Sequence, residues 1–403
     1  MIIALFVIFF ALILIGVPIA GSIGLAVFGV IIFSGQVSPV VVAQAMIRQM
    51  GSFSLVAIPF FMLSGEIMEK SGITQRLVDF ADAVVGWITG GLAYVSIFSG
   101  MLMGGISGSG PADTAALGGI LIPSMEKAGY PKEYASATLA AAGSIGAIIP
   151  PSITMVVLAG ILSQSVGSML MAGLIPGILI GVLMMVTSGV ICHRRQYAIS
   201  DKTEFSWNKL GRSLKNAVLA LLAPIIIVGG IVAGIFTATE ASVVVCVYTL
   251  FVGMFVYKTV KLSELKELFT NAIVSSANVL LIIGICAGFS WVLTYNNFPA
   301  AVTSLILNIS SSKLVIVLLI NIIFLIGGMF MEGLALILMF VPIFMPVMAS
   351  VGVCLFVASS ISGASVTRIG KAVLPFVLCM LFVMFLVVAV PGVATWIPSL
   401  MSA

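Results

Sequence analysis

Apolar residues run along this chain in long blocks, separated by short polar stretches, with no two-residue alternation of the kind a half-buried strand shows. Blocks of about 20 residues match the length a helix needs to cross a hydrocarbon core, and they predict spans at 2–34, 53–69, 131–165, 168–192, 216–236, 239–257, 272–294 and 371–390. Between the second and third spans the pattern changes. Ser71 to Val84 is amphipathic, 85–105 and 111–126 are apolar, and the short piece between those two is built of Ser, Gly and Pro. A second amphipathic stretch runs from Asn297 to Ser310. The expected fold class is an all-α polytopic membrane protein of about ten to twelve helical segments.

Composition narrows the class further. The chain has 403 residues, 61% hydrophobic and 7% charged, against about 25% charged in average chains. A soluble fold of this length could not cover its surface with so few charges. The mean hydropathy of +1.31 also excludes a disordered polymer and a secreted disulfide scaffold. The net charge of +4 lies in short loops between spans, where membrane-insertion bias places cations, so no nucleic acid is expected as a partner. Five cysteines without CxxC spacing read as small core residues, and His193 is the only histidine. The first 33 residues lack a basic leader region and a small-residue cleavage site, and read as a retained membrane segment. An intramembrane hydrolase would need a nucleophile with a base, and Ser109 has no histidine or lysine nearby in sequence. The chain is therefore not expected to be an enzyme.

The most charged segment, 193–215, carries Arg194, Arg195, Lys202, Lys209, Arg212 and Lys215. The positive-inside rule makes this linker cytoplasmic, and Lys258, Lys261 and Lys266 fall on the same side two spans later. The flanking regions, 1–192 and 216–403, resemble each other. Gly104 to Met125 lines up without a gap against Gly327 to Met348, and Ala172 to Pro176 echoes Ala372 to Pro375. Counting spans outward from the linker makes 85–126 a re-entrant hairpin that opens to the cytoplasm, with its tip at Ser107 to Pro111. The same count puts Ser71 to Val84 on the cytoplasmic surface and Asn297 to Ser310 outside. The hairpin at 313–347 then opens outside, with its tip at Glu332 and Gly333. The two halves come out inverted, as in repeat-built secondary transporters, and the two tips approach each other near the midplane.

Two stretches carry the chemistry. Ile106-Ser-Gly-Ser-Gly-Pro-Ala-Asp-Thr114 places hydroxyls, glycines, a proline and a carboxylate inside an apolar region. Non-helical backbone survives at membrane depth only when it is buried in protein or lines a wet cavity. Its carbonyls and hydroxyls are hard oxygen ligands for a small cation, and the next half-helix points its N-terminus at an anion. Small-residue helix packing is the alternative use of such a stretch. In Gly143-Ser-Ile-Gly-Ala-Ile-Ile-Pro-Pro-Ser152 the paired prolines break a helix and free carbonyls upstream, completing a cation site or only kinking the span. Asp113 and Glu332 are ionisable groups at membrane depth. Asp113 either ligates a cation or caps the half-helix that follows it. Thr237 to Glu240 reads as a capped helix start.

These residues, taken together with others, resemble a known family: the large membrane subunit of tripartite ATP-independent periplasmic (TRAP) transporters. The likeness covers nearly the whole chain. It rests on GVPIA (Gly16 to Ala20), IPFFMLSGEIM (Ile58 to Met68), GGISGSGPAD (Gly104 to Asp113), the GAIIPPS run ending at Ser152, GIFTATEA (Gly234 to Ala241), GMFMEG (Gly328 to Gly333) and LFVAS (Leu355 to Ser359). The resemblance implies a sodium-driven elevator transporter in the bacterial inner membrane. It would work with a small membrane subunit of about four helices and a periplasmic binding protein that delivers an organic acid, of the C4-dicarboxylate or sialic acid class. By the same resemblance, Na+ is expected at Ser107, Gly108, Asp113, Gly143, Gly146, Pro150, Met331 and Gly333. Substrate is expected at Ser107, Ser109, Pro151, Ser152 and Glu332. A passive anion channel is the rival function.

One departure stands out. After Gly352 the second half runs directly into Val353, so aligning the halves leaves roughly 24 residues of the first half without a counterpart, including a second proline break. The remaining helix would span about 15 Å, half the hydrocarbon core. A segment omitted at 352–353 is the expected explanation, since the family pattern resumes in register at Val353. A subunit genuinely lacking it is expected to be transport-inactive.

Overall fold

The computed structural model describes residues 1–162, 164–197, 204–298, 338, 366–390 and 392–401. Among the described residues the chain is helical, with short 3-10 and π turns and no strand. The first half comprises α1 (Ile2–Leu14), α2 (Ile19–Ser34), α3 (Pro39–Met50), α4 (Ala57–Lys70), α5 (Ile73–Val85), α6 (Gly91–Ser107), α7 (Gly110–Lys127), α8 (Lys132–Ser144), α9 (Ile153–Leu162) and α10 (Val166–Arg195). The second half contains α11 (Trp207–Val232), α12 (Ala238–Phe251), α13 (Leu265–Tyr295), α14 (Val366–Ala389) and α15 (Gly392–Met401). The helices α10, α11, α13 and α12 with its π-helical extension to Val256 are each long and apolar enough to cross a membrane. The protein is therefore a polytopic helical membrane protein, as the hydropathy pattern predicts.

Several expected spans are divided. The block 2–34 is two helices rather than one, because Gly16 takes a left-handed φ of +89° and Pro18 sits at the N-cap of α2. A proline there brings no N–H to continue the ladder of α1. The block 131–165 is likewise cut at Pro150-Pro151, a cis bond. The block 53–69 begins with a 3-10 turn and leaves α4 only 14 residues long, about 21 Å at 1.5 Å per residue. The helices α3 and α15 were not among the expected spans. The basic linker is flanked by helix on both sides: α10 runs on to Arg195, and Ser206 caps α11 by accepting from Lys209 N–H at 3.4 Å. Of the second half, the hairpin expected at 313–347 (Leu338 aside), with Met331, Glu332 and Gly333, lies outside the described residues. So do the junction at 352–353 and the amphipathic stretch beyond Phe298.

Helix α5 is amphipathic and anchored from several sides. Arg76 donates to the carbonyls of Ser71 and Gly72 at 2.9 and 3.1 Å and covers the Tyr257 ring at 3.8 Å. Lys209 of α11 pairs with Asp82 at 2.5 Å, and Trp87 meets Phe205 edge-on. The core sits around α8, whose residues from Tyr134 to Ser144 are all buried. Alanine and glycine fill it because α6, α7 and α14 all pack against it. Gly100 and Gly104, one helical turn apart on α6, form its crossing with α8. A Cβ on Gly104 would lie 2.7 Å from Gly146 Cα, and one on Gly100 would lie 2.8 Å from the Ala142 carbonyl oxygen. Small residues let two backbones meet where lipid offers no hydrophobic drive to association.

This packing predicts a contrast. Gly104→Ala forces α6 away from the 3-10 turn that ends α8 and lowers the midpoint of thermal unfolding of the solubilised protein, at a cost of about 1–3 kcal/mol. Gly119→Ala on α7, where an added Cβ meets nothing within 4 Å, leaves it unchanged or slightly raised. Equal effects of the two substitutions would refute the close crossing.

Candidate functional site: the hairpin tip and the broken helix

The first hairpin is present, and its tip is very short. Helix α6 ends at Ser107, Gly108 turns left-handed at φ +64°, Ser109 is extended, and α7 begins at Gly110. Pro111 falls in the first turn of α7, where a missing N–H costs nothing. A side chain at Gly108 would strike the carbonyl oxygen of Pro151, so the reversal and the close approach both require glycine.

Asp113 holds the tip together. Ser107 Oγ donates to Asp113 Oδ1 at 2.6 Å and accepts the Ser109 N–H at 3.0 Å. The capping alternative for Asp113 does not hold. Helix α7 has Ser109 at its N-cap with no side-chain cap bond, and Asp113 lies four positions further on, its carboxylate reaching the hydroxyl of α6 instead. Asp113 is 0% exposed, and its Oδ2 has no hydrogen-bond partner. That oxygen lies against Gly146, where any Cβ would collide with it. Gly143 stands in the same relation to Thr114 Oγ1, which donates to the Gly110 carbonyl at 2.8 Å. The two glycines of α8 and its 3-10 extension thus make room for the polar first turn of α7.

The broken helix docks on the tip. Ile153 N–H, at the start of α9, donates to the Gly108 carbonyl at 3.3 Å. Ser152 is fully buried; its Oγ accepts from Met155 N–H at 3.2 Å and donates to the Ala147 carbonyl at 2.6 Å. This hydroxyl is engaged in capping α9 across the proline break. Every first-half residue expected at the site (Ser107, Gly108, Ser109, Asp113, Gly143, Gly146, Pro150, Pro151 and Ser152) therefore comes together at one place. The second-half candidates lie outside the described residues.

A cavity of about 160 Å³ opens beside the tip, lined by Ser107, Ser109 and Asp113 together with Glu66 and Glu69 of α4, Thr74 of α5, Ile153 and Ser275. It has room for several waters. Among the described residues no three His, Cys, Asp or Glu side chains are grouped to chelate a metal. Its polar lining is the carboxyl groups of Asp113, Glu66 and Glu69 with the hydroxyl residues Ser107, Ser109, Thr74 and Ser275, oxygen donors of the kind that suit a hard, loosely held cation. Glu66, Glu69, Thr74 and Ser275 were not singled out from sequence. The signal for Glu66 was there, an ionisable residue inside the apolar run 53–69. Thr237 and Glu240 do form the expected capping box at the start of α12.

The family model described as tripartite ATP-independent periplasmic transporter, DctM component, matches residues 6–354. The chain is 34% identical to the sialic acid TRAP transporter large permease protein SiaM of Vibrio cholerae, over 96% of this chain and 95% of that protein. It is 35% identical to the C4-dicarboxylate TRAP transporter large permease protein DctM of Pseudomonas aeruginosa, over 86% of each chain. It is 32% identical to the 2,3-diketo-L-gulonate TRAP transporter large permease protein YiaN of Escherichia coli, over 84% of this chain and 79% of that one.

The capping geometry separates Ser152 from its neighbours at the tip. Ser152→Ala removes the cap of α9 and lowers thermal stability by about 1 kcal/mol, whereas Ser152→Thr, which keeps the hydroxyl, restores most of it. Failure of the threonine variant to recover more stability than alanine would show that the hydroxyl does not cap α9.

Proposed function

Because the chain belongs to the DctM family, the large permeases of tripartite ATP-independent periplasmic transporters, we propose that it imports an organic acid anion across the bacterial inner membrane, driven by an inward sodium gradient. The observation that carries this reading is Asp113 Oδ2, a buried carboxylate oxygen without a partner inside a tip of hydroxyls and carbonyls. A carboxylate at that depth stays ionised only when a cation meets it, and takes a proton otherwise. Sodium fits the donor set: it neutralises Asp113, organises the two-residue tip and lowers the barrier to an anion nearby. On this reading Ser107, Gly108, Asp113, Gly143, Gly146 and Pro150 hold the ion, and Ser109 and Pro151 face the substrate. Glu332, Met331 and Gly333 are assigned to the second tip.

The hairpin and broken helix then move as a transport unit against a scaffold completed by a small membrane subunit, in an elevator mechanism. A periplasmic binding protein delivers the substrate, and the basic segment 193–215 faces the cytoplasm. The relatives named above differ in substrate, being described for sialic acid, C4-dicarboxylate and 2,3-diketo-L-gulonate. The substrate is accordingly proposed only as an organic acid anion.

Sodium chloride is expected to raise the melting temperature of the purified chain where equal potassium or choline chloride does not. Asp113→Asn is expected to weaken the sodium effect on the order of tenfold in concentration, about 1.4 kcal/mol of cation binding. In proteoliposomes containing the small subunit and binding protein, uptake should stop when sodium is replaced by choline, and labelled substrate should show counterflow. Uptake indifferent to sodium removes the coupling, and flux without counterflow makes the protein a channel.

A further inference from the structure

Two cavities meet at the C-terminal end of α4. The inner one is the cavity of about 160 Å³ at the hairpin tip. The outer one, about 360 Å³, is lined by Glu66, Glu69, Lys70, Glu264, Glu267 and Asn271. Glu66 and Glu69 line both. The one lysine of the outer cavity is already engaged, since Lys70 Nζ pairs with Glu264 at 3.3 Å. Glu66, Glu69 and Glu267 have no ion-pair partner among the described residues, so the opening is strongly negative.

The inner cavity supplies an independent observation. Two of its lining side chains, Thr74 and Asp113, are 6% and 0% exposed, and Thr74 Oγ1 and Asp113 Oδ2 both lack a hydrogen-bond partner. Buried oxygens left this way are costly unless water or an ion meets them. The acidic opening thus leads to a cavity lined by two residues whose buried side-chain oxygens have no hydrogen-bond partner.

We propose that Glu66 and Glu69 line a cation route joining the hairpin tip to the face between α4 and α13. The inference rests on the reading of the tip as a sodium site. Carboxylates on both sides of one opening raise the local concentration of cations and repel an organic acid. The same side chains are not grouped tightly enough to chelate a metal, so they attract the ion without retaining it. That combination describes a route rather than a second resting site. Lys258 and Lys261 lie on the loop before α13, which places the mouth on the side that the positive-inside rule makes cytoplasmic.

The test uses the full-length purified chain and sodium chloride as the only probe, with exchange followed by sodium-23 NMR relaxation and binding by the sodium-dependent melting shift. In Glu66→Gln/Glu69→Gln, sodium association at low ionic strength should slow about tenfold, while dissociation changes by less than about twofold. Choline chloride at about 0.3 M should erase the difference from wild type by screening. The wild-type association rate should itself fall as choline chloride rises, a measurement that needs no variant. Unchanged association in the double variant, or a wild-type rate indifferent to choline, overturns the route. So does a loss expressed as faster dissociation that survives high salt, since that would make the glutamates direct ligands. A wild-type protein with no sodium response overturns the sodium site and the route with it, whereas a normal sodium response with unaltered rates overturns the route alone.

Discussion

A buried carboxyl group at the turn between α6 and α7 sets the terms for everything around it. Asp113 is wholly enclosed, with one oxygen bound to Ser107 across a two-residue reversal and the other open. An ionised group in such a place is destabilising unless it is partnered, and that explains the company it keeps. Gly146 is the one residue type that leaves its open oxygen unobstructed, and Gly143 does the same for Thr114. Gly108 permits both the left-handed turn and the approach to Pro151. The proline break is what lets Ile153 donate to the tip at all, since inside an unbroken helix its N–H would bond its own fourth predecessor.

The glycines here have two structural uses, close helix packing and room for the polar atoms of the tip, and these divide by position. Gly100 and Gly104 serve helix contact: the atoms an added Cβ would meet belong to Ala142, Ile145 and Gly146. Gly143 and Gly146 serve the polar atoms of α7. The GxxxG spacing on α6 brings α8 close enough for the second pair to matter. The geometry of the tip is therefore a consequence of the core packing, and loosening that packing would separate Asp113 from the surface that shapes it.

The hairpin turn, the Pro-Pro break and the Thr237–Glu240 box were legible because each is a local signal: turn chemistry, a missing N–H, a cap spacing. The break at Gly16 to Pro18 was legible in principle but was overridden by the apolar run on either side, since hydropathy registers composition and not backbone continuity. Helix α3 was passed over because Gln44, Arg48 and Gln49 interrupt its apolar pattern. The roles of Glu66, Glu69 and Thr74 belong to a different category. Their meaning comes from α4 and α5 lying against a hairpin tip some forty residues away, and no local pattern encodes that distance. Asp113 shows the same limit from the other side, since its position in the first turn suggested a cap and only the placement of α6 reveals its partner as Ser107.

On the proposed function, the signs of the charges dictate an order of events. Before a cation arrives, an ionised Asp113 and the opening lined by Glu66 and Glu69 repel an organic acid approaching the tip. With the cation seated, the carboxylate is neutralised, and the N-terminal turn of α7, whose backbone N–H groups carry partial positive charge, becomes the dominant local field. Anion binding is then conditional on cation binding by electrostatics alone, with no conformational signal required to link them.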